Sequence, residues 1–239
     1  MIIRRIIMSF IYDLHVHSSE CSGCSKTPVR EIVRLYKEQG IYDGFVLTNH
    51  FGYKTKEQEW EEYIMPFWNA YLEGRDEGEK CGFKVFFGLE QGYGYAQEIL
   101  LYGIDLDFLL ANPDICDIPP EEVTKRVQSY GGFVSHAHPY RKRSYVPEVV
   151  VHMDMTVLDS IETYNAGNRE VDDAEAVSKC AELGKIPTAG SDRHNLHEFE
   201  KNPFGGIEFD FEINSNSELV AALKSGKGRI FQMKERVYF

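Results

Sequence analysis

The sequence has 239 residues, a length that suits one large domain or two small ones, and 43% of them are hydrophobic, as in ordinary soluble proteins. The formal net charge is −12, and basic residues cluster only locally. This charge favours small substrates or cations and argues against a nucleic-acid partner, which usually requires a basic stripe.

The sequence gives little sign of a membrane or secreted protein. No apolar run approaches the roughly 20 residues of a membrane span, which argues against a membrane partner. The first eight residues are basic and apolar, but no small-residue cleavage pattern follows, so we expect no signal peptide. The five cysteines are an odd number spread along the chain. They indicate reduced thiols in a cytoplasmic protein.

The first predicted strand carries polar residues at alternating positions. An apolar run over residues 6–11 leads into Asp13, His15 and His17. Residues two apart in a strand point to the same side, so these three share one face. Two imidazoles on one face can hold a metal ion, and the carboxylate can add a ligand or orient a histidine. The polar face of an edge strand is the alternative interpretation.

Strands and helices alternate along the rest of the chain. The pattern predicts strands over 43–48, 83–89, 99–104, 132–135, 160–164, 186–190, 206–211 and 229–231. It predicts helices over 28–40 with Thr27 as N-cap, and over 56–80, 119–130, 170–183 and 217–225. The aromatic residues of 56–80 indicate helix packing. No linker divides the chain, so we expect a single domain over residues 1–239.

Strand–helix alternation predicts an α/β fold with a parallel sheet. Strand after strand ends in His, Glu, Asp or Asn, which favours a barrel with its site at the carboxyl ends of the strands. The alternative is an open doubly wound sheet, which normally places its site at one switch point.

Five short motifs contain the polar residues at these strand ends. They are Asp13-x-His15-x-His17, Thr48-Asn49-His50, Gly88-Leu89-Glu90, Ala137-His138-Pro139 and Gly190-Ser191-Asp192-Arg193-His194. In this order, over about residues 10–230, the set resembles the PHP family, the polymerase and histidinol-phosphatase domains. The resemblance implies a distorted (βα)7 TIM-like barrel whose two- or three-metal site hydrolyses phosphoesters.

The resemblance also implies a ligand set. The metal ligands would be His15, His17, His50, Glu90, His138, Asp192 and His194. Glu90 would bridge a first ion, held by His15, His17 and Asp192, and a second ion, held with His138. The two remaining histidines would hold a third. Imidazole-rich ligation favours Zn, Mn or Fe over Mg, so the implied cofactors are two or three such divalent ions.

Two family positions lack their usual ligand, a His or Asp in the loop after His17 and a His between Glu90 and the later His-Pro pair. After His17 only Glu20 or Cys24 offers a replacement, and Cys24 also fits a Cys-x-x-Cys redox motif or an incidental loop cysteine. Between Glu90 and the later His-Pro pair, Asn112 and Asp114 offer the nearest replacements. The number of metal ions is therefore open.

Four further residues are candidates for catalytic roles. Asp13 matches the family's strand acid and would orient a histidine, and His136 or Asp13 could serve as general acid. Arg141 resembles an arginine suited to a phosphate, with a surface charge as the alternative. Arg193 lies between two implied ligands and could face the substrate.

The function implied is that of a metal-dependent phosphoesterase acting on a small phosphorylated substrate. Clustered dications neutralise a phosphate and lower the pKa of a bound water. One alternative is a metal-binding regulatory or scaffold module with little catalysis. Another is a nuclease or proofreading activity, against which the net charge argues. The sequence gives no indication of oligomeric state.

Overall fold

The structure, a computed structural model, describes residues 9–94, 96–195, 198 and 204–233. The expectation about a signal peptide concerns residues 1–8, which lie outside this part. The strands are β1 (Phe10–Val16), β2 (Gly44–Leu47), β3 (His50–Phe51), β4 (Lys84–Gly94), β5 (Gln97–Tyr102), β6 (Phe133–His136), β7 (Ser160–Asn165), β8 (Ile186–Gly190), β9 (Phe204–Phe209) and β10 (Arg229–Met233). The α-helices are α1 (Val29–Gln39), α2 (Trp60–Cys81), α3 (Leu106–Ala111), α4 (Pro120–Tyr130), α5 (Glu170–Glu182) and α6 (Asn216–Lys224).

The strands form one curved sheet in the order β10-β9-β1-β2-β4-β5-β6-β7-β8, with β3 beside β4. The far edge returns to β1. The His17 N–H donates to the Arg193 carbonyl, and the Asp192 N–H donates to the His15 carbonyl, each over 2.8 Å. The sheet is therefore a nearly closed barrel, which confirms the predicted α/β barrel class over an open doubly wound sheet.

The direction of some strands departs from a regular barrel. β1, β2 and β4 are parallel to one another, as are β6, β7 and β8. β5 is antiparallel to both of its neighbours, and β9 is antiparallel to β1. β4 ends at Gly94 and β5 begins at Gln97. This two-residue connection is too short for a parallel crossover, which needs a dozen or more residues. A regular sevenfold strand–helix repeat is thus not confirmed.

The helices cover the outside of the sheet through apolar faces. α1 buries Val29, Ile32, Val33 and Tyr36, the spacing of one helical face. The predicted N-cap was wrong by one residue. Pro28 occupies the N-cap without a side-chain bond, and Glu20 accepts a hydrogen bond from the Val29 N–H (3.0 Å) instead of Thr27.

The aromatic residues of α2 pack as predicted. Phe51 of β3 lies 5.2 Å from Tyr63 and 5.3 Å from Phe67 between ring centroids. Both distances are typical of packed aromatic pairs. This packing fixes the β3 segment, and with it the neighbouring His50, against α2.

A second apolar cluster joins the sheet to α6. Tyr12, Leu14, Phe86 and Tyr102 are almost completely buried in it, and Leu219 of α6 belongs to the same cluster. Among the helices that the structure describes, none is long and apolar enough to span a membrane.

Candidate metal centre

Seven polar side chains converge where the parallel strands end. They are His15 and His17 of β1, His50 of β3, Glu90 of β4, His138 after β6, and Asp192 and His194 after β8. These are the seven residues for which the sequence predicts metal ligation, drawn from positions up to 179 residues apart. Their convergence follows from the parallel strands, whose carboxyl ends lie at one side of the barrel.

Glu90 lies at the centre of the cluster. Its Oε1 is 3.0 Å from the Nε2 atoms of both His15 and His138, and its Oε2 is 2.6 Å from Nδ1 of His50. The two oxygens of the carboxylate therefore face different imidazoles, as the oxygens of a bridging carboxylate would.

Asp192 approaches the cluster from the opposite side. Its Oδ1 lies 3.3 Å from His17 Nε2 and 3.6 Å from His15 Nε2. Its Oδ2 accepts a hydrogen bond from Arg141 Nη2 over 2.5 Å. One oxygen thus faces the histidines while the other holds a guanidinium.

The donor atoms form three overlapping groups, each with ligand atoms within 4.8 Å of one another. These groups are His15–His17–Asp192, His15–Glu90–His138 and His17–His50–His194. Three N/O donors within this distance suit one divalent ion of the zinc type. His15 and His17 each belong to two groups, so the predicted division of ligands among individual ions stays a prediction.

Three of the five histidine rings are fixed from behind by a second partner. His15 Nδ1 lies 3.0 Å from Glu162 Oε1, His17 Nδ1 lies 3.3 Å from Ser22 Oγ, and His194 Nδ1 lies 2.9 Å from the Asp192 carbonyl. Metal-ligating histidines are almost always held in this way, with the other nitrogen free for the metal.

The inward atoms are buried and lack hydrogen bonds. His15 Nε2, His17 Nε2, His50 Nδ1 and Glu90 Oε2 lie close to other atoms of the cluster, but none of them makes a hydrogen bond of acceptable geometry within the described residues. A buried polar atom without a partner costs about 1–3 kcal/mol. Divalent ions would satisfy these atoms, so the residues present fit the metal centre that the fold family implies.

The charges of the cluster are coupled. Burial would raise the pKa of Asp192, but Arg141 and His15 hold it well below its ordinary value. Burial would likewise lower the pKa of His50, but Glu90 raises it to about 11. Without a cation, protons on the histidines balance the carboxylates, and metal binding would displace those protons.

Two of the predicted ligands have unusual backbone conformations. His138 has φ 25° and Asp192 has φ 54°. Positive φ is uncommon for residues other than glycine and concentrates at functional sites. The turn at His138 also breaks the strand alternation, so His136 and His138 do not share a face.

Only one of the four predicted catalytic residues lines the cavity beside the cluster. The cavity has a volume of about 690 Å³, and Arg141 lines it together with His50, His138, Asp192 and His194. The Arg141 guanidinium is held by Asn168 and Asn165, each over 2.8 Å.

Asp13 holds the barrel together instead of orienting an imidazole. Its Oδ1 accepts from the N–H groups of His15 (3.1 Å) and Ser191 (2.9 Å), and its Oδ2 accepts from the Tyr36 hydroxyl (2.7 Å). The prediction that Asp13 orients a histidine ring is therefore corrected: Glu162 makes that contact. Asp13 is fully buried and is not among the residues that line the cavity.

His136 and Arg193 also point elsewhere. His136 Nε2 lies 2.7 Å from the Tyr93 hydroxyl, and its Nδ1 lies 3.0 Å from the Ala137 carbonyl. The Arg193 guanidinium lies over the Phe204 ring, 5.4 Å from its centroid. Its Nη1 donates to the Glu198 carbonyl, and Arg193 is not among the residues that line the cavity. The predicted substrate-facing roles of both residues are not supported.

Two functional candidates were not found from the sequence. Glu162 of β7 is buried, contacts His15, and accepts from the N–H of His138 (2.9 Å). Glu98 of β5 lines the cavity with its Oε2 3.9 Å from His138 Nδ1, and burial raises its pKa. The available signal was a glutamate inside a predicted strand for Glu162, and directly before a predicted strand for Glu98.

Of the four residues predicted to fill the two ligand gaps, three lie away from the cluster and one lines the cavity. Asp114 pairs with Arg126 (2.6 Å) on the surface, and Asn112 donates to the Phe108 carbonyl within α3. Glu20 caps α1. None of these three is at the cluster. Cys24 does line the cavity.

Comparison with known proteins supports the fold. No protein-family model matches the sequence, and no curated protein matches it. A Bacteroides vulgatus two-domain protein, said to contain a predicted PHP-like metal-dependent phosphoesterase, matches with TM-score 0.67 and 16% identity over 94% of this chain and 65% of that one. A Bifidobacterium adolescentis protein, provisionally described as a metal-dependent phosphoesterase, matches with TM-score 0.57 and 13% identity over 89% and 96%.

A lesion-specific endonuclease from Pyrococcus furiosus also matches, with TM-score 0.59 and 13% identity over 93% of this chain and 58% of that one. The chain therefore has the barrel fold of PHP-like phosphoesterases, which confirms the predicted resemblance at the level of fold. Because an endonuclease shares this fold, the comparisons do not support the expectation that nucleic acid is excluded as a partner.

Proposed function

We propose that this protein is a metal-dependent phosphoesterase that hydrolyses a small phosphorylated substrate. The observation that carries the proposal is the convergence of buried, unpartnered donor atoms of His15, His17 and Glu90 beside a cavity lined by Arg141. Bound cations would satisfy these donor atoms, and the adjacent guanidinium suits an anionic substrate.

Each group of residues has a distinct proposed role. Two or three divalent ions of Zn, Mn or Fe, when bound, would supply a water of lowered pKa and polarise the phosphate. The predicted ligand residues would hold these ions, and Glu162 would orient His15 and position the His138 backbone. Arg141, held through Nε and Nη2, would present its Nη1 group to a phosphate oxygen. Glu98 replaces Asp13 and His136 as proposed proton donor, because it lines the cavity and they do not.

The cavity and the charge favour a small substrate. A volume of about 690 Å³ lies within the roughly 300–1,000 Å³ of small-molecule sites. The net charge of −12 would repel a long polyanion. The five free cysteines are consistent with a cytoplasmic protein, and we retain the single domain over residues 1–239 as part of the proposal.

Hydrolysis assays test the proposal. Protein loaded with Mn²⁺ or Zn²⁺ is offered phosphate monoesters, dinucleotides and short oligonucleotides. We expect metal-dependent release of phosphate from a monoester or nucleotide, lost in Asp192→Asn and retained in Asp114→Asn, whose carboxylate lies on the surface. Preferred cleavage of oligonucleotides would favour the nuclease alternative. No hydrolysis of any class by metal-loaded protein would favour a binding module.

A further inference from the structure

The loop that follows β1 is tied to the metal centre at both ends. The Ser22 hydroxyl lies 3.3 Å from His17 Nδ1 and accepts a hydrogen bond from the His50 N–H over 3.1 Å. Three residues later, the Ser25 hydroxyl donates to the His194 carbonyl over 2.5 Å. The residues between them are therefore held close to His50 and His194.

Cys24 lies inside this tied segment. Its side chain lines the same part of the cavity as the His50 and His194 imidazoles. The Nε2 atoms of these two histidines are 3.4 Å apart. Two facing imidazole nitrogens and a thiol thus enclose one small space at the cavity wall.

An independent feature points to an ion in this space. The buried His17 ring stacks on both of the other rings, 4.4 Å from His50 and 4.2 Å from His194 between centroids. His17 Nε2 is buried and makes no hydrogen bond of acceptable geometry among the described residues, and the ligand atoms of His17, His50 and His194 lie within 4.8 Å of one another. These three histidines alone provide a neutral donor set, to which a thiolate would add one negative charge.

We propose that Cys24 is a thiolate ligand that holds a divalent ion together with His50 and His194. The inference rests on the proposed metal centre but does not depend on catalysis. A sulfur ligand makes this position softer than the Glu90 positions, so it should prefer Zn²⁺ over Mn²⁺ or Mg²⁺.

Cys21 is unsuited to this role and provides a matched control. It is half-buried and packs against two apolar clusters of the barrel wall, whereas Cys24 is exposed. Both cysteines line the same cavity, so a serine substitution at Cys21 makes the same chemical change a few residues away.

Cobalt substitution tests the proposal without any activity assay. Co²⁺ bound by a thiolate has a charge-transfer band in the near ultraviolet that nitrogen and oxygen ligands do not give. We expect the band in the Co²⁺-loaded wild-type protein and in Cys21→Ser. Cys24→Ser should lose the band and should bind about one metal ion per chain fewer than wild type. A band that survives Cys24→Ser, or its absence from Co²⁺-loaded wild type, would overturn the proposal.

A second readout on the wild-type chain covers the case in which Cys24→Ser fails to fold. Alkylation of Cys24, followed by peptide mass mapping, should slow roughly tenfold or more when Zn²⁺ is added to chelated protein, because only a free thiolate reacts. An unchanged rate would also overturn the proposal. A protein that shows the cobalt band but hydrolyses no phosphoester would contradict the proposed function and leave this inference intact.

Discussion

At the scale of single residues, the sequence pattern was most informative where ligands sit on regular strands. The alternation of His15 and His17 placed both on one face, and their imidazoles do converge. The alternation does not continue where the backbone leaves the strand conformation, as at His138, whose φ is 25°. Glu162 was missed because its role depends on a contact with a residue 147 positions away, which local spacing cannot reveal.

Substitution of Arg141 tests its proposed contact with the substrate phosphate. A hydrogen bond to a charged group contributes about 1.5–3 kcal/mol, so Arg141→Ala should lower kcat/KM roughly ten- to a hundredfold. Arg141→Lys keeps a positive charge beside Asp192 but loses the planar fork, and should recover only part of this loss. Arg126→Ala, at an exposed pair with Asp114, is the control. Unchanged kcat/KM in Arg141→Ala would return the residue to a structural role.

His136 should make the protein sensitive to acid. Burial lowers its pKa to about 3, and its contacts with Tyr93 and the Ala137 carbonyl suit the neutral ring. Above pH 6.5 the ring is neutral in both the folded and unfolded chain and contributes nothing. Below pH 6.5 the unfolded chain binds a proton that the folded chain does not, so stability falls until about pH 3.

Urea denaturation at several pH values measures this effect. Between pH 6.5 and pH 5, His136 should account for about 2 kcal/mol of lost unfolding free energy. His136→Asn should remove that part of the slope whatever its effect on stability at pH 7. If the unfolding free energy of the two proteins fell equally with pH, His136 would take up its proton in the folded chain as readily as in the unfolded chain.

At the scale of elements, the order of strands and helices was predictable, and their directions were not. Apolar periodicity located the described strands other than the two-residue β3, although β4 continues five residues beyond the predicted 83–89. It carries no information on whether neighbours are parallel. The predicted bounds 83–89 and 99–104 also hid the two-residue connection between Gly94 and Gln97, which requires β5 to be antiparallel to β4. α3 was missed because six residues give too short a pattern for the helical period.

The closure of the barrel depends on the close approach of β8 to β1. A methyl group at Gly190 would collide with the His15 side chain and lie 2.9 Å from its backbone nitrogen. Gly190→Ala should therefore lower the free energy of unfolding by about 1–3 kcal/mol and weaken metal binding by displacing His15. Gly23→Ala, where nothing lies within 4 Å, should leave stability unchanged in the same chemical denaturation. Equal stability of the two variants would mean that β8 and β1 are not in contact.

At the scale of the whole molecule, net charge was too coarse a guide to the site. The chain carries −12 overall, yet Arg141 and several protonated histidines make the cavity locally able to hold an anion. Local charge at the cavity, and not the global sum, decides which ligands can bind there.

Metal binding should couple to the stability of the whole barrel. The ligands are scattered in the unfolded chain, so an ion stabilises the folded state by about 2.7 kcal/mol at a hundredfold excess over Kd. Thermal melts with chelator and with Mn²⁺ should show a rise in Tm for wild type and for Asp114→Asn. Asp192→Asn should fold but lose much of that rise, and an equal gain in all three proteins would remove Asp192 from the ligand set.

Metal content per folded chain tests the central claim most directly. Elemental analysis of wild-type protein purified without chelator should find two or three divalent transition-metal ions per chain, because three overlapping ligand groups are present. Asp192→Asn should hold fewer ions, and Asp114→Asn the same number as wild type. A metal content near zero in well-folded wild-type protein, even after incubation with Mn²⁺ or Zn²⁺, would contradict the account.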